Sequence, residues 1–408
     1  MECGLLGRRL GHSYSPRIHR LLGDYSYSLF EKEPEELADF LEKGNFSGLN
    51  VTIPYKKAVI PYCAALSPEA ARLGAVNTLV RRADGSLMGH NTDYFGFLSL
   101  VRHAGFSPAG KKALVLGSGG ASATAQAVLR DLGGESVVIS RRGENHYGNL
   151  ERHRDARLVV NCTPVGMFPQ VGESPLSLEG FPRLEGVLDM VYNPARTALL
   201  LDAERLGIPR ENGLWMLVAQ AVHSAGLFTG RPVSEAQIAP IYRSLRRREE
   251  NLILIGMPGT GKTTVGRLLA ERLGKEFADA DELVQRLAGR SIPEIFAAEG
   301  EAGFRKWESL ALAQLGKSSG LVIATGGGCV TQPGNYPLLH QNGRIFWLRR
   351  DIALLPTQGR PLSQAGSLSE MLSRREPMYR RFADYTVENM GPVSKAAEEI
   401  IRIWEEKL

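Results

Sequence analysis

The chain has 408 residues, 43% hydrophobic and 23% charged, with a formal net charge of +5. That length exceeds one ordinary core and favours two or three domains; the composition excludes a disordered chain, and the longest apolar runs, such as 113–116 and 252–255, are strand-sized and too short to span a bilayer. The basic excess lies in residues 1–248, which hold 29 Lys+Arg against 24 Asp+Glu, whereas residues 249–408 hold 20 of each. No basic stripe with interleaved aromatics accompanies it, so no nucleic-acid partner is expected, and Arg246, Arg247 and Arg248 read as a solvated helix end. Cys3, Cys63, Cys162 and Cys329 form no C-x-x-C pair, which points to a reducing compartment without disulfides or structural zinc. Arg8 and Arg9 are followed by no apolar stretch, so no secretory signal is expected and the expected location is cytoplasmic.

Residues 1 to about 100 alternate short apolar runs with turn signals. Gly11-His12-Ser13-Tyr14-Ser15-Pro16 reads as a helix start, with Ser15 as N-cap and Pro16 at the first helical position. Asn50-Val51-Thr52-Ile53-Pro54-Tyr55-Lys56, Gly74-Ala75-Val76-Asn77-Thr78 and Asn91-Thr92-Asp93 ahead of Gly96 follow. Then comes a strand at Lys112–Leu116, a tight turn at Gly117-Ser118-Gly119-Gly120-Ala121-Ser122, a helix over 123–132 and a strand over 136–140. This is a βαβ dinucleotide-binding pattern, in the variant form G-x-G-G. Where a protein selective for NAD places an acidic residue against the ribose, Ser140 is followed by Arg141 and Arg142. Two guanidinium groups there suit a 2′-phosphate, and hence NADP(H).

Further motifs complete a series: Asn161-Cys162-Thr163-Pro164 with Gly166-Met167, Asp189-Met190-Val191-Tyr192 with Pro194, and Gly213 with Met216-Leu217-Val218-Ala219-Gln220-Ala221. Together they make residues 1–245 resemble shikimate dehydrogenase. The resemblance implies a substrate domain built from 1–100 and 213–245, and a Rossmann NADP-binding domain at 101–212. It implies Lys56 and Asp93 as a catalytic pair at the alcohol that is oxidised, which suits a step where hydride leaves carbon while a positioned base takes the hydroxyl proton. Ser13 and Ser15 would hold the substrate carboxylate, and Thr52, Asn77, Tyr192 and Gln220 its hydroxyls. Met190 and Gly213 would border the nicotinamide, and Gly117, Gly119, Gly120, Ala121, Ser140, Arg141 and Arg142 the rest of the nucleotide. The chain departs from the family where Arg20 follows His19 in place of Asn, where Gly7-Arg8-Arg9 lacks a proline, and where Ser140-Arg141-Arg142 replaces Asn-Arg-Thr.

The polar stretch 243–250 reads as an exposed joint. After it, Asn251–Ile255 reads as a buried strand and 264–273 as an amphipathic helix, bracketing Gly256-Met257-Pro258-Gly259-Thr260-Gly261-Lys262-Thr263. This is a complete G-x-x-x-x-G-K-T phosphate loop. Backbone N–H groups of Gly259, Thr260, Gly261 and Thr264 would cradle phosphates at a helix N-terminus, Lys262 would reach the β/γ-phosphates, and the Thr263 hydroxyl would ligate Mg²⁺. Asp279-Ala280-Asp281, placed on a strand end, would turn both carboxylates to one face. Arg305 and Arg375 can fork onto a carboxylate, Gly326-Gly327-Gly328 lets backbone approach a ligand, and Arg360 sits in a polar stretch suited to a lid.

With Phe304 before Arg305, Glu308 after it, Pro361-Leu362 after Arg360, and Pro377 and Tyr379 after Arg375, residues 250–408 resemble shikimate kinase. The resemblance implies Asp279 at the hydrated Mg²⁺, Asp281 on the substrate hydroxyls and as base, and Arg305, Gly327 and Arg375 around shikimate. Arg360 would close over ATP and stabilise the transferring phosphoryl group. The expected whole is α/β: a substrate domain, a Rossmann domain, then a P-loop kinase domain with a parallel sheet.

Such a chain would be a bifunctional enzyme of aromatic amino acid (chorismate) biosynthesis. It would reduce 3-dehydroshikimate with NADPH and phosphorylate shikimate with MgATP, with no nucleic-acid or membrane partner. The sequence is silent on oligomeric state. Of three rivals, intact Lys262, Asp281, Arg305 and Arg375 argue against a dehydrogenase with a nucleotide-sensing regulatory module, the neutral charge of 249–408 argues against a nucleic-acid-binding ATPase, and a quinate-preferring dehydrogenase stays open.

Overall fold

The computed structural model describes residues 1–11, 13–232, 234–355 and 368–408. The chain divides into two compact units: 1–166 with 173–192 and 202–242, and 167–172 with 193–201 and 243–408. The dividing point at 242/243 falls inside a helix rather than in a linker.

The first unit contains two sheets. Six strands form the first: β1 Glu2–Gly7, β2 Ser26–Glu31, β3 Gly48–Val51, β4 Cys63–Leu66, β5 Thr78–Arg81 and β6 Leu87–His90, in the order β2-β1-β3-β5-β6-β4. Pairings of β5 with β3 and β6 are antiparallel and the others parallel. Its helices are α1 Ser15–Arg20, α2 Leu37–Lys43 and α3 Pro68–Leu73, and Leu6, Leu37, Leu41, Leu49, Val51 and Leu79 form its core. Tyr14, not Ser15, caps α1, and its side chain makes no capping bond. Ser15 lies one residue inside, where its backbone N–H donates to Ser13 Oγ at 3.2 Å.

The second sheet is wholly parallel, in the order β11-β10-β9-β7-β8, from β7 Lys112–Leu116, β8 Glu135–Ile139, β9 Leu158–Asn161, β10 Gly186–Asp189 and β11 Arg210–Glu211. Buried Ala113, Val115, Leu158, Val160 and Leu188 read as near-continuous apolar runs because helices cover the sheet. Helix α4 is Asp93–His103 and α5 is Gly120–Asp131. The latter starts three residues before the expected 123, because the glycine turn itself supplies its first turn. Arg72 on α3 forks onto Asp131 of α5 at 2.8 and 3.1 Å, and the Tyr94 hydroxyl of α4 donates to the same carboxylate at 2.6 Å. Helices α6 Ala198–Arg205 and α7 Leu214–Thr229 follow. Gly96 lets α7 reach α4, since a Cβ there would lie 2.8 Å from Met216 O.

The second unit is one parallel sheet, in the order β13-β14-β12-β15-β16, from β12 Asn251–Ile255, β13 Glu276–Asp279, β14 Leu321–Ala324, β15 Gly343–Arg349 and β16 Tyr385–Glu388. Alternation along β12 sends Ile253 and Ile255 into one core, and Leu252 and Leu254 into another, as a sheet covered on both faces requires. Helix α8 Ile238–Glu249 leads into β12, and α9 Lys262–Leu273, α10 Ala280–Ala288, α11 Ile292–Lys317, α12 Asn335–His340, α13 Leu368–Phe382 and α14 Val393–Glu406 complete the unit. Residues 193–201 belong to it through bonds to the turn before β15. Ala195 N donates to Asn342 Oδ1 at 2.8 Å, and the Arg196 guanidinium donates to His340 O at 2.7 Å and Gly343 O at 3.0 Å.

The stretch 243–250 is not an exposed joint. Glu250 is buried, and it accepts from Trp404 Nε1 at 2.6 Å and from Arg344 at 3.1 Å, with Trp404 and Arg344 also buried. Arg246 donates to Leu408 O at 3.2 Å, and Arg247 pairs with Glu405 at 2.7 Å. Of the three arginines, only Arg247 and Arg248 have the solvated side chains expected. Removing one partner of a buried ion pair strands the other charge, at a cost of about 3–5 kcal/mol. Glu250→Ala is therefore expected to lower the unfolding free energy of the second unit by about that much, and Arg247→Ala by under about 1 kcal/mol. Denaturant titration of the two variants checks the contrast; equal effects would contradict the buried pairing.

Candidate active sites

In the first unit, β3 ends at Val51 and the chain turns through Thr52 to Lys56, which the buried Tyr55 anchors by donating from its hydroxyl to Lys32 O. Asp93 is the first residue of α4. The two meet: Lys56 Nζ lies 2.6 Å from Asp93 Oδ2, each side chain partly exposed. Beside them, Thr92 N donates to the buried Asn77 Oδ1 at 2.7 Å, Asn77 Nδ2 donates to Thr92 Oγ1 at 3.0 Å, and Thr92 Oγ1 reaches Gln220 Oε1 at 3.4 Å. The turn holding Ser13 and Ser15 is near Tyr192, because the Tyr14 and Tyr192 rings are 5.3 Å apart. Burial raises the Tyr192 hydroxyl's pKa, so it stays a neutral donor. His19 stacks on Tyr27 at 3.9 Å, and burial pushes its imidazole down to about 3, which keeps it neutral. Lys56 and Asp93 thus form one bonded pair, and Asn77 and Gln220 a bonded set through Thr92, the residue before Asp93; the turn of Ser13 and Ser15 stands near Tyr192, and Thr52 lies in the turn leading to Lys56. The sequence assigns Thr92 no role of its own; its place beside Asp93 in Asn91-Thr92-Asp93 is the available signal.

The nucleotide elements stand at the carboxyl end of β7. Gly117 has φ +99°, a conformation that L side chains rarely adopt. Gly119 caps α5 and Gly120 opens it, and no protein atom comes within 4 Å of where a Cβ on either would stand. Their backbone N–H groups, with Ala121 exposed beside them, can therefore receive an anion at the helix N-terminus. Arg141 and Arg142 are exposed just past β8, where the Ser140 hydroxyl donates to Arg142 O. Gly213 fits so closely that a Cβ would lie 2.1 Å from Met190 O, which brings those two residues together.

In the second unit a cavity of about 890 Å³ opens at the carboxyl ends of the strands, where doubly wound sheets bind ligands. The phosphate loop on its wall needs glycine at three positions, since Gly256, Gly259 and Gly261 have φ of +146°, +88° and +92°. Lys262 Nζ lies over its own loop, donating to Gly256 O at 2.9 Å and Met257 O at 3.0 Å. The buried Thr260 turns its hydroxyl to Met257 O, while Thr263 and Thr264 are exposed at the start of α9. The Thr263 hydroxyl donates to Asp279 Oδ2 at 3.0 Å. Both are hard oxygen donors of the kind Mg²⁺ takes.

The expected strand alternation of Asp279 and Asp281 does not occur. Asp279 ends β13 and caps α10, its Oδ1 accepting from Asp281 N at 3.0 Å, so Asp281 enters the cavity from the helix's first turn. Arg305 is 6% exposed and donates to the fully buried Glu308 at 2.7 Å and to Glu301 at 2.9 Å. Burial holds the Glu308 carboxyl above the usual carboxylate range, against the pull of Arg305. Among the described residues, Arg305 Nε and Glu308 Oε1 are buried without a hydrogen-bond partner. Arg375 donates to Gly327 O at 3.2 Å, and the Tyr379 hydroxyl bonds the same carbonyl. Asp281, Arg305, Gly327 and Arg375 therefore share one cavity with the phosphate loop, and Arg360 lies outside the described residues. Glu308 belongs with them; its position three residues after Arg305, one helical turn on, was the available signal.

Comparison with known proteins matches both halves. The family model "Shikimate dehydrogenase substrate binding domain" matches residues 5–79, and "Shikimate kinase" matches residues 258–405. A relative from Moorella thermoacetica, named shikimate dehydrogenase (NADP(+)), is 38% identical over 273 residues, 59% of this chain and 91% of its own. The Thermus thermophilus shikimate 5-dehydrogenase, solved with NADP(H) and shikimate, aligns with TM-score 0.55 at 33% identity, over 60% of this chain and 99% of its own. A Corynebacterium glutamicum quinate dehydrogenase solved with NAD aligns with TM-score 0.54 at 28% identity, over 60% and 99%. The chain belongs to the shikimate dehydrogenase family and carries a shikimate kinase domain at its carboxyl end.

Proposed function

We propose that this chain is a bifunctional enzyme that reduces 3-dehydroshikimate to shikimate and then phosphorylates shikimate to shikimate 3-phosphate. The observation that carries it is the presence in one chain of both the Lys56–Asp93 pair and the Thr263–Asp279 pair, the latter in a cavity with Asp281 and Arg305. When bound, NADPH supplies a hydride and MgATP a phosphoryl group. In the first reaction Lys56 Nζ gives a proton to the ketone oxygen as hydride reaches the carbon, while Asp93 orients the ammonium. Ser13 and Ser15 hold the carboxylate, and Thr52, Asn77, Tyr192 and Gln220 the ring hydroxyls. Arg141 and Arg142 take the 2′-phosphate beside the turn at Gly117, Gly119, Gly120 and Ala121, and Met190 and Gly213 border the nicotinamide.

In the second reaction Gly259, Thr260, Gly261, Lys262 and Thr264 hold the phosphates, and Thr263 and Asp279 hold Mg²⁺. Asp281 accepts the proton of the attacking hydroxyl, and Arg305, Gly327 and Arg375 orient shikimate so that this hydroxyl points at the transferred group. We divide the chain as a substrate domain (1–100, 213–245), a nucleotide domain (101–212, less 167–172 and 193–201, which belong to the second compact unit) and a kinase domain (250–408). Four free cysteines support a reducing, cytoplasmic setting.

Lys56→Ala is expected to lower dehydrogenase kcat at least about 10²-fold, the usual worth of general acid–base help, with kinase turnover unchanged. Reduction of 3-dehydroshikimate by NADPH and phosphorylation of added shikimate by ATP, assayed separately on the same variant, read the two rates, and retention of a tenth of the reductase rate would remove Lys56 from the role. Replacing Arg141 and Arg142 together by Ala should cut the preference for NADPH over NADH at least about tenfold, since a charge-assisted bond contributes ~1.5–3 kcal/mol. Equal losses in kcat/KM for both cofactors would show that neither residue reads the 2′-phosphate. Arg305→Lys should raise KM for shikimate at least about tenfold with ATP affinity kept, because an ammonium cannot fork onto a carboxylate. Collapse of ATP affinity instead would move Arg305 to the nucleotide site.

A further inference from the structure

Strands β9 and β10 pair in a register that sets Asn161 directly beside Asp189 at the carboxyl end of the second sheet. Both side chains are fully buried, which is costly for an amide and a carboxylate unless they are bonded. They bond to each other: Asn161 Nδ2 donates to Asp189 Oδ1 at 2.9 Å. Each also grips the loop beyond its strand. Asn161 Oδ1 accepts from Thr163 N at 3.0 Å and from Thr163 Oγ1 at 2.7 Å, while Asp189 Oδ1 accepts from Val191 N at 3.0 Å. Met190 N donates to Asn161 O at 3.0 Å, which ties the second loop back to the first strand.

The two loops so fixed are those that meet the nucleotide elements. The Thr163 methyl is 3.0 Å from where a Cβ on Gly117 would stand, and Met190 O is 2.1 Å from where one on Gly213 would stand. An apolar pair would hold two strands together equally well. A fully bonded polar pair instead fixes the direction in which each loop departs, because its bonds are directional. On the dehydrogenase reading of this unit, we infer that Asn161 and Asp189 are positioning residues for hydride transfer. They touch neither ligand; they hold the Thr163 and Met190 loops so that the nicotinamide carbon and the ketone carbon stand in line.

The test uses the intact chain with 3-dehydroshikimate and either NADPH or NADPH deuterated at the transferring C4 position. A displacement of about 1 Å costs about 10²-fold in rate, so Asn161→Ala should lower kcat by about that factor. It should also raise the isotope effect on kcat, as hydride transfer becomes slower than product release. The NADPH Kd, read by fluorescence, should stay within about twofold, and kinase turnover of the same chain should be unchanged. Thr163→Val, which keeps shape but removes the bonding hydroxyl, should move kcat and the isotope effect the same way, and Thr163→Ser should restore both. The Thr163 series decides the matter if Asn161→Ala does not fold. A kcat loss with an unchanged isotope effect, or a loss carried by NADPH Kd, would overturn the inference, as would equal rates for Thr163→Val and wild type. An inactive wild type would overturn the dehydrogenase reading and this inference with it, whereas an active wild type with unaffected variants sinks this inference alone.

Discussion

The buried Arg305–Glu308 pair exists because the backbone beside it carries no side chains. A Cβ on Gly328 would lie 2.1 Å from the Arg305 guanidinium, one on Gly326 2.5 Å from Glu308 and 2.9 Å from Asp281, and one on Gly327 2.6 Å from Pro258 of the phosphate loop. Three successive glycines therefore let these charges and the phosphate loop share one cavity wall. The first unit uses the same device more sparingly, at Gly117 and Gly213. In both, backbone reaches the carboxyl ends of parallel strands, where N–H groups and helix N-termini can meet an anion.

Polar groups buried at the candidate sites carry a desolvation cost that only directed bonding offsets. That is why Arg305 is held by two carboxylates and Asn77 by Thr92. The bonds fix side chains before a ligand arrives, so less ordering remains at binding. The Glu250–Arg344–Trp404 group applies the same rule where no ligand is involved, locking the end of α8 to α14 and β15. Directed polar burial thus serves both position and architecture, and only the neighbouring elements tell the two apart.

Motifs whose chemistry is local were legible in the sequence. The phosphate loop needs glycine at fixed offsets from a strand, and Lys112–Leu116 and Asn251–Ile255 are strands with the expected bounds. What depends on a distant partner was not legible. The run 243–250 is polar in composition, yet Glu250 is buried because Trp404 and Arg344, about 90 to 150 residues away, supply its bonds. Residues 193–201 look like a plain continuation of the nucleotide domain, but their bonds to His340, Asn342 and Gly343 put them in the second unit. The Asp279-Ala280-Asp281 alternation failed because helix capping won: the Asp279 carboxylate caps α10, so the strand ends before Asp281. Asn161 and Asp189 each sit in a quoted motif, but their pairing is a matter of strand register, which no single segment encodes.

On the proposed assignment, the two units recognise the same carboxylate with different chemistry. Ser13 and Ser15 offer neutral hydroxyls, whereas Arg305 and Arg375 offer guanidinium forks. Both kinds of donor make charge-assisted bonds to the ionised carboxylate, but only a guanidinium adds a full opposite charge and a forked pair of donors, so the second site holds the carboxylate more tightly. Shikimate is the product at the first site and the substrate at the second. A weaker hold at the first speeds its release, where a guanidinium would retain it; a stronger hold at the second captures it at low concentration. The difference in donors favours release of shikimate at the first site and its capture at the second at low concentration.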